Sequence, residues 1–373
     1  MNHDDPRDET ARFGLSVARA ADMTHSGPRP RPPRRSLSVA DYVHGISSGD
    51  RAILGRALSL IESNLPSDEV LAQRVLEHIL PATRRSLRVG ITGTPGAGKS
   101  TFIEKLGTML VERAHRVAVL AVDPTSSVSG GSILGDRTRM SRLSADPRAF
   151  IRPSPSGGTL GGVARKTRES ILICEAAGFD IVLVETVGVG QSETAVADMT
   201  DVFVALAIPG AGDELQGIKR GLLELVDLIV VNKADGDNAP KARAAAAEYA
   251  AAARVMRHAD HSSVTVHTCS ALTGEGVWSV FEAIETRAAA LRADGLLETR
   301  RREQDRRWLR DLLHERLDRL LISMPAVRDA MHQAEHDVLA GQATPVIAVE
   351  RVILSLRDEL RRASADDHRG TTP

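Results

Sequence analysis

Residues 87–101 read LRVGITGTPGAGKST, and this stretch decides the fold of the chain. Its first five residues place apolar side chains at alternate positions, as in a short buried strand. The glycines that follow permit a tight turn before a helix that opens at Lys99. Residues 93–100 therefore match the phosphate-binding P-loop pattern G-x-x-x-x-G-K-[ST], in the strand-turn-helix context that the pattern requires.

The pattern predicts a nucleotide phosphate site. A loop with few Cβ atoms lets successive backbone N–H groups turn around the β-phosphate, and the helix N-terminus adds partial positive charge. Lys99 is predicted to reach the β- and γ-phosphates, and the Ser100 hydroxyl to ligate Mg²⁺. The predicted phosphate-binding residues are Gly93, Pro95, Gly96, Ala97, Gly98, Lys99, Ser100 and Thr101.

Composition limits the class of protein. With 373 residues, of which 42% are hydrophobic, the chain can bury one large core or two modest ones. A formal net charge of -1 gives no general attraction to nucleic acid or to anionic membranes, so neither is expected as a partner. No apolar run approaches the roughly 18 residues of a membrane-spanning helix. The N-terminal MNHDDPRDE also lacks the features of a secretion signal, so we expect a cytoplasmic protein.

Six apolar runs separated by helical stretches predict the central architecture. The runs are VGIT (89–92), VAVLAVD (117–123), DIVLVET (180–186), VFVALAI (202–208), LIVVNKA (228–234) and SVTVHTCSA (263–271). Near-continuous Val, Ile and Leu strands indicate a parallel sheet covered on both faces, with ligands at the carboxyl ends of the strands. The predicted fold class is α/β: a P-loop NTPase with a mostly parallel central sheet flanked by helices, plus N- and C-terminal helical extensions.

A second motif, N-K-A-D at 232–235, predicts that the base of the bound nucleotide is guanine. The Asp235 carboxylate can accept hydrogen bonds from the ring N–H and the exocyclic amine of guanine, whereas adenine offers no such donor pair. By analogy with base readout in DNA grooves, a bidentate contact discriminates by about 1–3 kcal/mol. A Ser-Ala-Leu triplet at 270–272 resembles the loop whose backbone N–H meets the guanine carbonyl oxygen. The predicted guanine-binding residues are Asn232, Lys233, Asp235, Ser270, Ala271 and Leu272.

Acidic residues at two other strand ends predict where the metal ion and the γ-phosphate bind. Asp123 ends one strand and Glu185 another, and Gly188 follows Glu185 by three residues. Carboxylates there can hold Mg²⁺ and its waters, and a glycine lets a backbone N–H approach the γ-phosphate. Without further context, a helix N-cap or a solvated strand end is the alternative interpretation of either acid.

Longer motifs carry a family resemblance. They are VDPTSSVSGGSILGDRTRM (122–140), SGGTLGGVARKTRE (156–169), DIVLVETVGVGQSE (180–193), PGAGDELQGIKRGLLELVDLIVVNKAD (209–235) and the P-loop. Together they resemble the GTPases that accompany methylmalonyl-CoA mutase, the MeaB or ArgK-like proteins. The resemblance covers roughly residues 38–352.

The resemblance implies a GTP-hydrolysing, Mg²⁺-dependent chaperone. Such a protein gates the loading of adenosylcobalamin into methylmalonyl-CoA mutase and protects or reactivates that enzyme. The resemblance implies a metal and catalytic set of Ser100, Asp123, Asp136 and Glu185. The P-loop pattern and the glycine three residues after Glu185 add Lys99 and Gly188 to the predicted catalytic residues. The resemblance further implies a switch segment at 213–220 and a homodimer.

The flanking segments predict the domain boundaries. Residues 1–36, which are polar and end in closely spaced prolines, are predicted as a disordered tail. Residues 37–85 are predicted as an N-terminal helical segment, 86–297 as the P-loop GTPase domain, and 298–373 as a C-terminal helical segment. From its pattern this last segment either packs on the domain or builds a dimer contact, and the resemblance implies dimerisation. Thr344 and Pro345 resemble an N-cap and first-turn proline of a helix in that last segment.

Other functions remain open at this point. One is a metallochaperone or a transport-linked kinase, and another is the same chaperone role for a different cobalamin-dependent acyl-CoA mutase. A nickel chaperone should show a His-rich tract or a Cys-His cluster, and neither is present in the sequence. The two cysteines, Cys174 and Cys269, lie far apart beside apolar residues, which is typical of small core residues.

Overall fold

The computed structural model describes residues 36–83, 86–122, 140–153, 160–186, 192–209, 222, 224–255 and 264–369. The predicted disordered tail, apart from residue 36, lies outside this part of the chain. The strands are β1 (Leu87–Gly93), β2 (Val117–Val122), β3 (Ala149–Arg152), β4 (Ile181–Thr186), β5 (Val202–Ala207), β6 (Leu228–Val231) and β7 (Thr265–Thr268).

These strands form one sheet in the order β3-β2-β4-β1-β5-β6-β7, and every paired neighbour is parallel. β1 lies at the centre, where Ile91 is paired with Glu185 on one side and with Val204 on the other. The strands β1, β2, β4, β5 and β6 are buried along their whole length. Continuous burial is what helices on both faces of a parallel sheet produce, and the predicted α/β class is confirmed.

One strand escaped prediction. β3 has only four residues, AFIR, and ends in an arginine, so it gives too short an apolar run to be recognised. It lies at the sheet edge beside β2. The predicted runs at 228–234 and 263–271 also continue beyond the observed β6 and β7, because their last residues belong to loops at the carboxyl ends.

The described helices pack on this sheet or on one another. They are α1 (Val39–Ser47), α2 (Arg51–Glu62), α3 (Pro66–Ile79), α4 (Lys99–Glu112), α5 (Ser141–Ala145), α6 (Leu160–Ala176), α7 (Ser192–Ala197), α8 (Ala239–Val255), α9 (Val277–Ala293), α10 (Leu296–Ser323), α11 (Pro325–Leu339) and α12 (Pro345–Arg369). Short 3₁₀ turns occur at Leu80–Ala82 and Gly236–Asn238. No helix among the described residues is both long and apolar enough to cross a bilayer.

The main core lies on the face of the sheet covered by α4 and α9. Phe102 and Leu106 of α4 and Phe281 and Ile284 of α9 are fully buried there, together with the apolar residues of β1. Because the P-loop connects β1 directly to α4, this packing fixes the direction in which the loop presents its backbone. Burial of such side chains contributes roughly 1.5–3 kcal/mol each.

Two ion pairs attach α10 to the end of the sheet opposite the carboxyl ends of its strands. Arg301 donates to both Asp201 oxygens, at 2.7 and 2.6 Å, and Asp201 immediately precedes β5. Arg300 reaches Asp227 at 3.1 Å, and Asp227 precedes β6. The first turns of α10 are thus held against the sheet, whereas Leu313 and Leu317 farther along the helix are exposed.

The predicted start of the last helix is confirmed. α12 begins at Pro345, and the Ile347 backbone N–H donates to the Thr344 hydroxyl at 3.4 Å. Both cysteines are free and buried, as expected of core residues. Burial raises the pKa of each thiol to about 12.

Candidate nucleotide site

The P-loop backbone adopts conformations that favour glycine at both glycine positions of the G-x-x-x-x-G-K-[ST] pattern. Gly93 has φ +145°, and a Cβ there would lie 2.2 Å from the Leu206 carbonyl oxygen. Gly98, the residue before α4, has φ +85°, and a Cβ there would lie 2.7 Å from Nδ2 of Asn232. At Gly98 the glycine permits the left-handed backbone. At both positions the missing Cβ lets another residue of the same chain, Leu206 or Asn232, approach closely.

Lys99 opens α4 and folds back over the loop. Its Nζ donates to the Gly93 carbonyl at 2.7 Å, so the ammonium lies inside the bend that the P-loop makes. Burial lowers the pKa of Lys99 below its ordinary value, while the charges of Glu185 and Glu193 act in the opposite direction. The side chain is thus a partly buried cation beside the backbone that is expected to surround phosphate.

The Ser100 and Glu185 side chains lie in contact in the structure. The Ser100 hydroxyl donates to Glu185 Oε1 at 2.9 Å, which joins the start of α4 to the end of β4. Glu185 is only 4% exposed. A hydroxyl and a carboxylate at this spacing are hard oxygen ligands of the kind that Mg²⁺ prefers, so these two residues would fit such an ion.

Asn232 joins the phosphate side of the site to the base side. Its Nδ2 donates to the Ala97 carbonyl in the P-loop at 2.8 Å, and its Oδ1 accepts from the Ala271 backbone N–H at 2.9 Å. The side chain is buried, at 2% exposure. One amide therefore fixes the P-loop and the Ser-Ala-Leu loop at a set distance from each other.

Asp235 is held by Ser270, which belongs to the Ser-Ala-Leu loop. The Ser270 hydroxyl donates to Asp235 Oδ1 at 2.7 Å, which leaves Oδ2 and the second lone pair of Oδ1 to accept from a base. Lys233 has φ +59°, a left-handed conformation uncommon for a lysine, directly between the two functional side chains. This turn separates Asn232, which points into the protein, from Asp235.

The remaining predicted site residues are exposed or lie outside the described residues. Pro95, Gly96 and Thr101 are exposed, and Leu272 is 77% exposed, so a contribution from Leu272 would come from its backbone. Asp123, Asp136 and Gly188 lie outside the described residues. Within the described part of the chain, no three His, Cys, Asp or Glu side chains converge as a metal-binding group.

Three buried polar residues beneath the P-loop were missed by the sequence analysis. The Thr186 hydroxyl donates to Thr92 Oγ1 at 2.9 Å, and Thr92 Oγ1 lies 3.5 Å from Glu193 Oε1. Both threonines are fully buried, and Glu193 is 8% exposed. Glu193 stands inside one of the motifs quoted above, but an acid in the first turn of a helix is normally interpreted as stabilising the helix start. The threonines are indistinguishable by pattern from ordinary strand residues.

Comparison with known families identifies this arrangement. The model of the family described as methylmalonyl-CoA mutase-associated GTPase MeaB matches residues 54–326, which is more than half of the chain. The chain belongs to the MeaB family of GTPases. The match begins in α2 and ends in α11, so it includes the P-loop, the N-K-A-D motif and the Ser-Ala-Leu loop.

Individual relatives agree with the MeaB assignment. A Caulobacter vibrioides protein, itself named as a GTPase, is 51% identical over 320 residues, covering 85% of this chain and 98% of the relative. The mouse mitochondrial homolog of methylmalonic aciduria type A is 44% identical over 326 residues, covering 84% of this chain and 78% of the relative. A crystal structure titled LAO/AO transport system kinase has 38% identity and a TM-score of 0.69, covering 86% of this chain and all of that one.

Proposed function

We propose that this MeaB-family chain hydrolyses GTP with Mg²⁺ and acts as a chaperone of methylmalonyl-CoA mutase. The observation that carries the nucleotide part is the double contact of Asn232 with the P-loop and with the Ser-Ala-Leu loop. A single buried side chain fixes the separation between a phosphate-binding loop and a base-binding loop. Such preorganisation favours one nucleotide in one orientation.

The phosphate end is proposed to work mainly through positioning and charge. Backbone N–H groups of the P-loop receive the β-phosphate, and Lys99 leaves the Gly93 carbonyl to contact the β- and γ-phosphate oxygens. Ser100 and Glu185 would hold Mg²⁺ together with Asp123 and Asp136. When bound, the metal would supply positive charge that offsets the charge of the transferred phosphoryl group. Gly188 is proposed to contribute its backbone N–H near the γ-phosphate.

At the base end, the proposed readout depends on Asp235. Ser270 takes one lone pair of its Oδ1, so the carboxylate is oriented before the nucleotide arrives. Guanine would present two donors to Asp235, and Asn232 holds the adjoining Ser-Ala-Leu loop through the Ala271 backbone N–H. Lys233 is proposed to place its aliphatic chain along the base.

The mutase part of the proposal is supported by the family description and by the name of the mouse relative, which refers to methylmalonic aciduria. We infer that nucleotide state gates the transfer of adenosylcobalamin to methylmalonyl-CoA mutase and helps to protect or reactivate the enzyme. A related acyl-CoA mutase that uses the same cofactor would present similar chemistry. The choice between such mutases depends on surfaces outside the nucleotide site.

We also propose a homodimer built on the C-terminal helices. An open groove of about 490 Å³ lies between α11 and α12, and Glu335 is the one charged residue along it. The groove is lined by Leu321, Met331, Ala334, Glu335, Val338, Leu339, Pro345, Ala348, Val349, Val352 and Ile353. Leu339 in this lining is 89% exposed, and Val346, which follows Pro345 in the chain, is 75% exposed. Apolar area of this kind is normally covered by a partner, and a second copy supplies a matching apolar face.

The gating part is tested by following transfer of adenosylcobalamin to the mutase by its absorbance spectrum. The apo-mutase is mixed with this protein and the cofactor in the presence of GTP, GDP or a non-hydrolysable GTP analogue. The proposal expects transfer to depend on which nucleotide is bound, and Lys99→Ala to remove that dependence. Equal transfer rates under all three conditions would contradict gating while leaving GTP hydrolysis in place.

A further inference from the structure

Glu193 is a buried carboxylate to which the proposed hydrolysis assigns no role. It lies in the first turn of α7 and is 8% exposed. Burying a charged group is costly unless it is satisfied by partners, so a buried glutamate that serves no purpose would be a net loss of stability. Its surroundings are therefore informative.

A chain of hydroxyls connects Glu193 to two strand ends. Thr186 directly follows Glu185 at the end of β4, and Thr92 directly precedes Gly93 at the end of β1. The Thr186 hydroxyl donates its single proton to Thr92 Oγ1 at 2.9 Å. The Thr92 proton is then directed toward Glu193 Oε1, 3.5 Å away.

The hydroxyl chain links the Glu193 carboxylate to the ends of β1 and β4, the two strands next to the proposed phosphate site. β1 leads into the P-loop and Lys99, whereas Glu185 lies near the end of β4. Neighbouring strands of a sheet can shift against each other by small amounts. A hydroxyl link from Thr186 to Thr92 fixes the two strand ends where the backbone ladder stops. The charge of Glu193 also acts on Lys99.

We propose that Glu193 is a positioning residue for GTP hydrolysis, acting through Thr92 and Thr186 to hold Lys99 and Glu185 in their productive relation. This inference rests on the proposed function, since it assumes that Lys99 and Glu185 act on the nucleotide. Glu185 and Glu193 both act on Lys99 through their charges, so Glu193 still does so when Glu185 binds a cation. The group itself touches neither nucleotide nor metal in this account.

The test uses the full-length protein and compares substitutions that remove single groups. Glu193→Gln keeps the size and the acceptor oxygen but removes the charge, and Thr92→Val removes the hydroxyl at nearly constant volume. Thr92→Ser restores the hydroxyl. Thr194→Ala alters the exposed neighbour of Glu193 and serves as the matched control. For each variant, kcat and KM for GTP, the affinity for GDP and the melting temperature Tm are measured.

The expected result is a fall of roughly 10- to 100-fold in kcat for Glu193→Gln and for Thr92→Val, the range found when groups that orient a site are removed. KM for GTP should change by less than about threefold, because the loss is realised mainly in the transition state. Thr92→Ser and Thr194→Ala should keep most of the wild-type kcat.

Two results would overturn the inference. One is wild-type kcat in both Glu193→Gln and Thr92→Val, and the other is a fall in Tm and activity that Thr92→Ser shares equally, which would indicate a structural role. Lys99→Ala is measured alongside. If that variant retains wild-type GTP turnover, the proposed function has failed; if it is inactive while Glu193→Gln is normal, only this inference has failed.

Discussion

Asp235 illustrates how one residue is prepared for its task before any nucleotide binds. Ser270 already donates to one of its oxygens, and Ser270 itself accepts from the Thr273 backbone N–H at 3.2 Å. The carboxylate is therefore oriented by a chain that ends in the backbone. A carboxylate at the end of such a chain loses little conformational freedom when it binds a base.

Replacing Asp235 by Asn should change which base is preferred. The amide presents a donor where guanine also has a donor, whereas xanthine offers a carbonyl oxygen at the position of the guanine amine. We expect Asp235→Asn to weaken GTP by about 1–3 kcal/mol relative to xanthosine triphosphate, and Ser270→Ala to have a smaller effect of the same sign. Competition binding with labelled nucleotides measures this, and unchanged preference for GTP would contradict base readout by Asp235.

Gly98 and Gly96 form a matched pair for testing the P-loop geometry. Both have left-handed backbone, with φ of +85° and +81°, but only at Gly98 would a Cβ meet a neighbour, Nδ2 of Asn232. Alanine at either position should cost about 1–2 kcal/mol for the backbone conformation. Gly98→Ala should cost more, since Asn232 is held on both sides and cannot withdraw freely.

The comparison is made on the nucleotide-free protein by thermal unfolding, so that contacts with phosphate play no part. We expect a lower Tm for Gly98→Ala than for Gly96→Ala. Equal Tm values would show that the contact between Gly98 and Asn232 does not constrain the loop.

At the scale of elements, α10 has two distinct halves. Arg301 is 3% exposed and its partner Asp201 is fully buried, and Gln304 donates to the Thr200 carbonyl at 2.8 Å. The second half of the helix exposes its leucines. The same helix therefore anchors to the sheet at one end and offers an apolar surface at the other.

Removing the anchor should be costly. In Arg301→Met the Asp201 carboxylate stays buried without its main partner, and we expect a loss of about 3–5 kcal/mol in the free energy of unfolding. The control is Arg306→Ala, which breaks the exposed pair with Glu303 and should cost less than about 1 kcal/mol. Urea denaturation distinguishes the two. A loss below about 1 kcal/mol for Arg301→Met would mean that the pair contributes little beyond its desolvation cost.

This helix also shows where prediction from the sequence stops. The P-loop, the six predicted strands with helices between them, and the meeting of Ser100 with Glu185 follow from local pattern together with the rule that carboxyl ends of parallel strands share one edge. The burial of Arg301 does not, because arginine in a charged helix is normally solvated and its partner lies 100 residues earlier. The contact of Thr92 with Thr186 likewise depends on strand register, which no local pattern specifies.

At the scale of the whole molecule, the apolar groove between α11 and α12 predicts self-association. The double substitution Leu339→Glu and Val346→Glu should convert a dimer to a monomer, since charges would have to be buried at the contact. Ala251→Glu, an exposed site on α8, is the control and should stay dimeric. Light scattering coupled to size-exclusion chromatography measures the mass. A wild-type protein that is monomeric at all concentrations would contradict the proposed dimer.

The central claim joins the nucleotide site to the mutase, and one measurement tests both. Turnover of GTP and of ATP is followed for the purified protein, alone and with methylmalonyl-CoA mutase from the same organism. We predict that GTP is hydrolysed in preference to ATP and that the mutase accelerates GTP turnover but not ATP turnover. Equal turnover of the two nucleotides, unaffected by the mutase, would contradict the account.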